Sequence, residues 1–142
     1  AFPNYRMFWK YRVENEGVEW VVLAVQRSVL WEKDCAFCRY NAADARICYQ
    51  PIEQLKASAA FIGMFEDNEL FPTREAQRLK PFDPTDGQAE VLVFDVIEPS
   101  RITGAVFQSA VTMERYRGIL GNKQILVNRP NQGYFAARSY VR

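Results

Sequence analysis

The 142-residue sequence contains no histidine. That absence removes Ser-His-Asp and Cys-His nucleophilic catalysis, His general bases and His-ligated zinc in one step. Charge of one sign is also lacking. Eighteen basic residues against 17 acidic leave a net charge of +1, so there is no bulk basic footprint for duplex nucleic acid. No apolar run approaches the ~20 residues of a membrane span, and no membrane partner is expected. Cysteine is scarce, with residues only at positions 35, 38 and 48. Cys35 and Cys38 have C-x2-C spacing, but a zinc site needs four ligands and a carboxylate would have to complete the set. The expectation is buried apolar thiols and no metal. The odd cysteine count, behind opening residues without a signal-peptide pattern, points to a reducing, cytoplasmic compartment. An initiator Met is missing too: the chain opens Ala1-Phe2-Pro3, so a processed or N-terminally incomplete chain is expected.

What is present reads as one globular domain over 1–142, since 49% of residues are apolar and 14% aromatic. Arginine outnumbers lysine, which suits phosphate and base contacts but also follows from a genome rich in G and C. Val18–Gln26 is β-branched and nearly all apolar, which predicts a central strand buried on both faces. Ala36-Phe37-Cys38 predicts a second, short strand. Residues 39–47 predict a loop or brief helix. Pro51 opens a predicted helix on which Ile52, Leu55, Ala59 and Ile62 recur at helical spacing, with Phe65 near the same face. Residues 66–87 hold Pro72, Pro81 and Pro84 with few aliphatics, and an irregular stretch of this kind inside a compact domain is often functional. Ala89–Ile97 predicts a strand and Ile102–Phe107 another. Ser109 is a predicted cap for a helix over 110–120, stopped at Gly121 or Asn122. Residues 125–127 and 134–141 predict a closing antiparallel pair. The sum is an α+β domain with a mixed or antiparallel core of five to seven strands and two or three helices.

The long loop ends in Gln88-Ala89-Glu90. Side chains alternate along a strand, so Gln88 and Glu90 share one face. A carboxylate near the start of a central strand is rare unless paired or used. The local pattern alone allows an exposed Glu paired with an Arg, or an amide and a carboxylate set side by side for chemistry.

A Gln-x-Glu that closes a turn-rich loop and opens a strand resembles the catalytic motif of the ADP-ribosyltransferases. The wider text resembles the DarT-type transferases, which modify bases in single-stranded DNA. The segments that carry the likeness are Phe2-Pro3-Asn4-Tyr5-Arg6-Met7-Phe8, Trp20-Val21-Val22-Leu23, Phe37-Cys38-Arg39-Tyr40-Asn41-Ala42-Ala43, Gly63-Met64-Phe65-Glu66-Asp67 and Pro84 to Val93. They stand in family order and span most of residues 2 to 97. The resemblance implies an ADP-ribosyltransferase fold and an enzyme that uses NAD as co-substrate without a metal. It implies Glu90 as the catalytic residue, binding the 2′-hydroxyl of the nicotinamide ribose and steadying the positive ribosyl centre as nicotinamide leaves. A fixed negative charge in a dry site suits that task. Arg6 would hold the NAD phosphates or help place the ribose, with Asn4, Tyr5 and Met7 in the same NAD-contacting segment. Gln88 would face the acceptor, Asn41 would line the acceptor pocket, and Arg74 and Arg78 would grip the strand by phosphate contacts and stacking. Arg129 and Arg138 are further candidates for DNA contact.

The resemblance further implies a toxin of a toxin–antitoxin or phage-defence system. Its partners would be single-stranded DNA and an antitoxin with ADP-ribosylglycohydrolase activity. Thymine is the expected base and guanine the rival. The family pattern also places a first strand and an NAD-contacting His ahead of the Arg segment, and neither stands in these residues. Two alternatives therefore stay open: the same chemistry on RNA or protein, and a non-catalytic binding module of the same fold.

Overall fold

The computed structural model describes residues 2–129 and 133–138. They form two compact units, one of residues 2–4 with 33–95, the other of 5–32 with 96–129 and 133–138. The composition is the expected α+β, with five strands in two small sheets. Helical segments outnumber the expected two or three, because the chain breaks into short pieces.

The first unit is built on β2 (Cys35–Cys38) paired antiparallel to β3 (Glu90–Val93), with Cys38 opposite Glu90 and Ala36 opposite Leu92. All residues of β2 are buried. Its alternation sends Ala36 and Cys38 into a cluster with Ile47 and Leu55, closed by Tyr40, Ala42 and Leu92. Phe37 points to the other face and meets Phe61 edge-on at 5.1 Å, and Phe61 meets Phe65 at 5.2 Å. Leu55 comes from α4 (Ile52–Lys56) and Phe61 from α5 (Ser58–Gly63). These replace the single helix expected after Pro51. Ala57 is extended, at φ −70° and ψ 150°, and splits it. As a result Ile52 and Ile62 are exposed, against expectation. Ile47 lies on α3 (Ala45–Cys48), the brief helix expected within 39–47. Cys35 and Cys38 are buried thiols as expected, whereas Cys48 is exposed at the end of α3.

Residues 66–87 contain no α-helix or strand, as their prolines predict. The loop is nonetheless organised around a polar centre of its own. Asp83 and Thr85 are fully buried. The Arg74 guanidinium donates to the Asp83 carbonyl at 2.6 Å, the Thr85 hydroxyl at 3.2 Å and the Lys80 carbonyl at 2.9 Å. The Thr85 N–H donates to the Met64 carbonyl at 2.8 Å, which ties the loop's end back to its start.

The second unit holds α1 (Tyr5–Glu14), β1 (Val21–Val25), α2 (Val29–Glu32), β4 (Ile102–Phe107), α6 (Ala110–Leu120) and β5 (Gln124–Val127). The sheet order is β1-β4-β5, with β1 antiparallel and β5 parallel to β4. Parallel neighbours need a crossover, and α6 supplies it. Its cap is the expected one: the Ser109 hydroxyl accepts from the Thr112 N–H at 3.1 Å, and Gly121 ends the helix at φ 58°. Gly104 lets β5 approach, because a Cβ there would lie 2.7 Å from the Gln124 carbonyl oxygen.

Two expectations fail here. The strand within 18–26 is not buried on both faces: Val21, Leu23 and Val25 are each exposed, because β1 is the sheet's edge and an apolar cleft of about 360 Å3 stays open between it and α6. The doubly covered strand is β2 instead. The expected antiparallel closing pair is absent among the described residues. β5 runs parallel to β4, and Gly133–Phe135 is a 3-10 turn. Residues 139–141 of that expectation lie outside the described part. Phe135 packs on Phe8 at 5.1 Å, and Arg12 lies over both rings while donating to the Phe135 carbonyl at 2.9 Å.

Candidate active site

Glu90 is the first residue of β3, where the long loop meets the ribbon. Its carboxylate is gripped by donors from two other segments. Oε1 accepts from Asn4 Nδ2 at 2.5 Å and from Asn41 Nδ2 at 3.0 Å, and Oε2 accepts from the Ala42 N–H at 3.1 Å. No basic side chain is among these donors, so the pairing with an Arg that the local pattern allowed is not how Glu90 is held.

Each donor is itself fixed. Asn4 is buried and spends its amide on the Gln88 carbonyl as well, at 3.3 Å. Asn41 turns its Oδ1 to the Ala43 N–H at 2.9 Å, an Asx turn that aims the Ala42 N–H at Glu90. Asp86 accepts from the Gln88 N–H at 2.9 Å and sets the backbone just before the motif. A carboxylate offers about four acceptor positions. Three are occupied, so the group is oriented and keeps room for one further hydroxyl or amine donor. Across the ladder, burial and then the charge of Glu90 push the Cys38 thiol up, which keeps it protonated and inert beside the carboxylate.

A family model described as "DarT: ssDNA thymidine ADP-ribosyltransferase, DarT" matches residues 2–135. The chain belongs to the DarT family. The DarT domain is an NAD-dependent ADP-ribosyltransferase, with NAD as co-substrate, and the family acts on single-stranded DNA. A comparison with curated proteins finds no match. Among the described residues no helix is long and apolar enough to cross a membrane.

The other expected site residues of this DarT domain fall in four places. Asn4, Asn41 and Gln88 gather at Glu90, though both asparagine amides are spent on the carboxylate. Arg74 and Arg78 belong to the loop ahead of it. Arg74 is built into the loop's polar centre and leans over Phe65 at 5.8 Å, while Arg78 is exposed in a left-handed conformation at φ 53°. Tyr5, Arg6 and Met7 open α1 in the second unit, with Arg6 and Met7 exposed. Arg129 is exposed after β5, and Arg138 is half-buried. Sequence reading did not single out the Ala42 N–H, because a backbone donor leaves no side-chain signal. It also passed over Tyr40, Asp44 and Arg46. Asp44 two residues before Arg46 is a legible capping pattern, but the Tyr40 ring under the Arg46 guanidinium is not.

Proposed function

We propose that this chain transfers ADP-ribose from NAD to thymine in single-stranded DNA, with Glu90 as the catalytic carboxylate. The observation that carries the reading is the three-donor cradle, which fixes a carboxylate at the Gln-x-Glu position and leaves it one acceptor position. That donor set fits a ribose hydroxyl, which must donate to the enzyme. Bound NAD would supply the ADP-ribosyl group and release nicotinamide. Glu90 accepts the hydroxyl and places a fixed negative charge where positive charge develops, an effect of several kcal/mol in a dry site. Gln88, one strand period away and half-buried, meets the acceptor base. Asn4 and Asn41 act on NAD and acceptor through the carboxylate they hold. Tyr5, Arg6 and Met7 are assigned to NAD, with Arg6 on its phosphates. Arg78 is assigned to the DNA strand, and Arg74 shapes the loop that carries it.

An activity of this kind damages its own host. We therefore assign the chain to a cytoplasmic toxin–antitoxin or phage-defence system whose antitoxin removes the ADP-ribose. The test is incubation with NAD and single-stranded oligonucleotides that each contain one type of base, read by mass spectrometry. An ADP-ribose adduct on thymidine alone is expected. Modification of guanine alone would overturn the base assignment, and modification only of RNA or protein would overturn the substrate. Expression without a glycohydrolase should arrest growth, and co-expression of one should restore it.

A further inference from the structure

The Arg46 guanidinium lies 3.8 Å from the centroid of the Tyr40 ring. Asp44 fixes its plane with two side-chain bonds, from Nε to Oδ1 at 2.8 Å and from the terminal nitrogen to Oδ2 at 2.7 Å. Asp44 Oδ1 also caps the short helix α3 through the Arg46 N–H at 2.9 Å. The cap needs only that last bond. The fork and the ring contact do something further: they hold a planar cation over an aromatic face.

The ion pair is bidentate and partly exposed. The side-chain and backbone bonds from Arg46 bring the Asp44 carboxyl down to about 2, and the bond to Asp44 raises Arg46, with Asp86 adding to it. Phe71 supports Tyr40 at 6.3 Å, tilted by 36°. Yet 46% of the Arg46 side chain is exposed. Its position is also specific. Tyr40 directly precedes Asn41 and Ala42, which hold Glu90, and Asp86, whose charge acts on Arg46, accepts from the Gln88 N–H. The pair is thus linked to the Gln-x-Glu motif through the residues that follow Tyr40 and through Asp86.

A guanidinium whose charge is already cancelled by a carboxylate is a poor phosphate contact. Its flat outer face is a good surface for a nucleobase. We propose that Arg46, held over Tyr40 by Asp44, is a stacking platform for a nucleobase next to the modified one in single-stranded DNA. The platform rests on the functional reading above and adds a base-binding subsite to it.

The test is binding of a labelled, thymidine-containing single strand by fluorescence anisotropy, at several salt concentrations, with wild type, Arg46→Ala and Arg46→Lys. Both variants are expected to weaken binding by about 5- to 10-fold, the lower part of what one base–side-chain stack contributes. Lysine should not rescue, because an ammonium has no plane. The salt slope should stay unchanged, because no phosphate contact is lost. An abasic nucleotide beside the thymidine should weaken wild type by a similar factor and Arg46→Ala no further. The wild-type arm of that comparison needs no variant to fold. Full rescue by lysine, or a salt slope shallower by about one, would make Arg46 a phosphate contact and overturn the platform. Equal binding by wild type and Arg46→Ala, or of intact and abasic strands, would overturn it as well. A wild-type chain that binds no single-stranded DNA would overturn the functional reading first, and the platform with it.

Discussion

Replacing Asn4 by alanine separates orientation of the proposed catalytic carboxylate from binding of NAD. The change deletes the 2.5 Å bond to Glu90 Oε1 and the 3.3 Å bond to the Gln88 carbonyl. A hydrogen bond to a charged group contributes about 1.5–3 kcal/mol. Glu90 keeps Asn41 and the Ala42 N–H, so the carboxylate stays in place but is free to swing on one side. If that orientation matters only as the ribosyl group departs, the whole effect falls on kcat. At about 1.4 kcal/mol per factor of ten, transfer should slow by roughly 10- to 100-fold while the KM for NAD stays within about twofold. Steady-state transfer to a thymidine oligonucleotide, with NAD and DNA varied separately, reads both quantities.

Asn4→Asp supplies the second arm, because it sets a second carboxylate against the first. Two like charges at that range disfavour joint ionisation. The acidic limb of the pH–rate profile should therefore move to higher pH, with activity lost first on the acid side. A variant that melts at lower temperature but keeps kcat and pH profile at a permissive temperature would make Asn4 merely structural and refute the reasoning. So would a loss confined to the KM for NAD, which would mean that Asn4 contacts the co-substrate directly.

Three further outcomes follow from the geometry. The Asp44 carboxyl is lowered from 3.8 to about 2 by its bonds to Arg46; the stability this lends is complete above the ordinary carboxyl range and lost as pH falls toward 2, so Asp44→Asn should flatten acid unfolding, followed by circular dichroism, only in that window. Cys48 is exposed while Cys35 and Cys38 are buried with raised thiols, so native protein near pH 8 should take up a single maleimide and denatured protein three. Gly104→Ala should cost about 1–3 kcal/mol in urea unfolding, because its Cβ would meet the Gln124 carbonyl at 2.7 Å; an unchanged midpoint would mean that β4 and β5 separate freely.

The candidate-site motif was legible in the sequence because its signal is local. A Gln-x-Glu after a proline-rich loop and before a β-branched run states both a turn and a shared strand face. The Ser109 cap and the strand at 102–107 were legible for the same reason. What escaped depends on distant partners. Residues 18–26 and 35–38 are both apolar, and only the helices that pack on each face decide which strand is covered on both. The helix after Pro51 keeps a continuous period in the sequence, yet one extended residue, Ala57, divides it. Helix α1 was hidden by Tyr5, Phe8, Trp9 and Tyr11, which favour strands, and none of its residues is buried. Asn4 and Asn41 carried an NAD and an acceptor role by resemblance. Their convergence on one carboxylate oxygen spans 86 residues for Asn4 and 49 for Asn41, separations that no local pattern encodes.

Glu90, held by three donors, is proposed as the carboxylate that performs transfer. The most direct test is movement of labelled ADP-ribose from NAD onto a thymidine-containing single strand by wild type and by Glu90→Gln, a change that keeps the size of the side chain and removes its charge. Wild type should label the strand, and Glu90→Gln should be slower by at least 100-fold, in the range that loss of one electrostatic stabiliser costs, with DNA binding retained. Labelling by Glu90→Gln at a rate near wild type would contradict the claim, as would wild-type protein that binds the strand and NAD but transfers nothing.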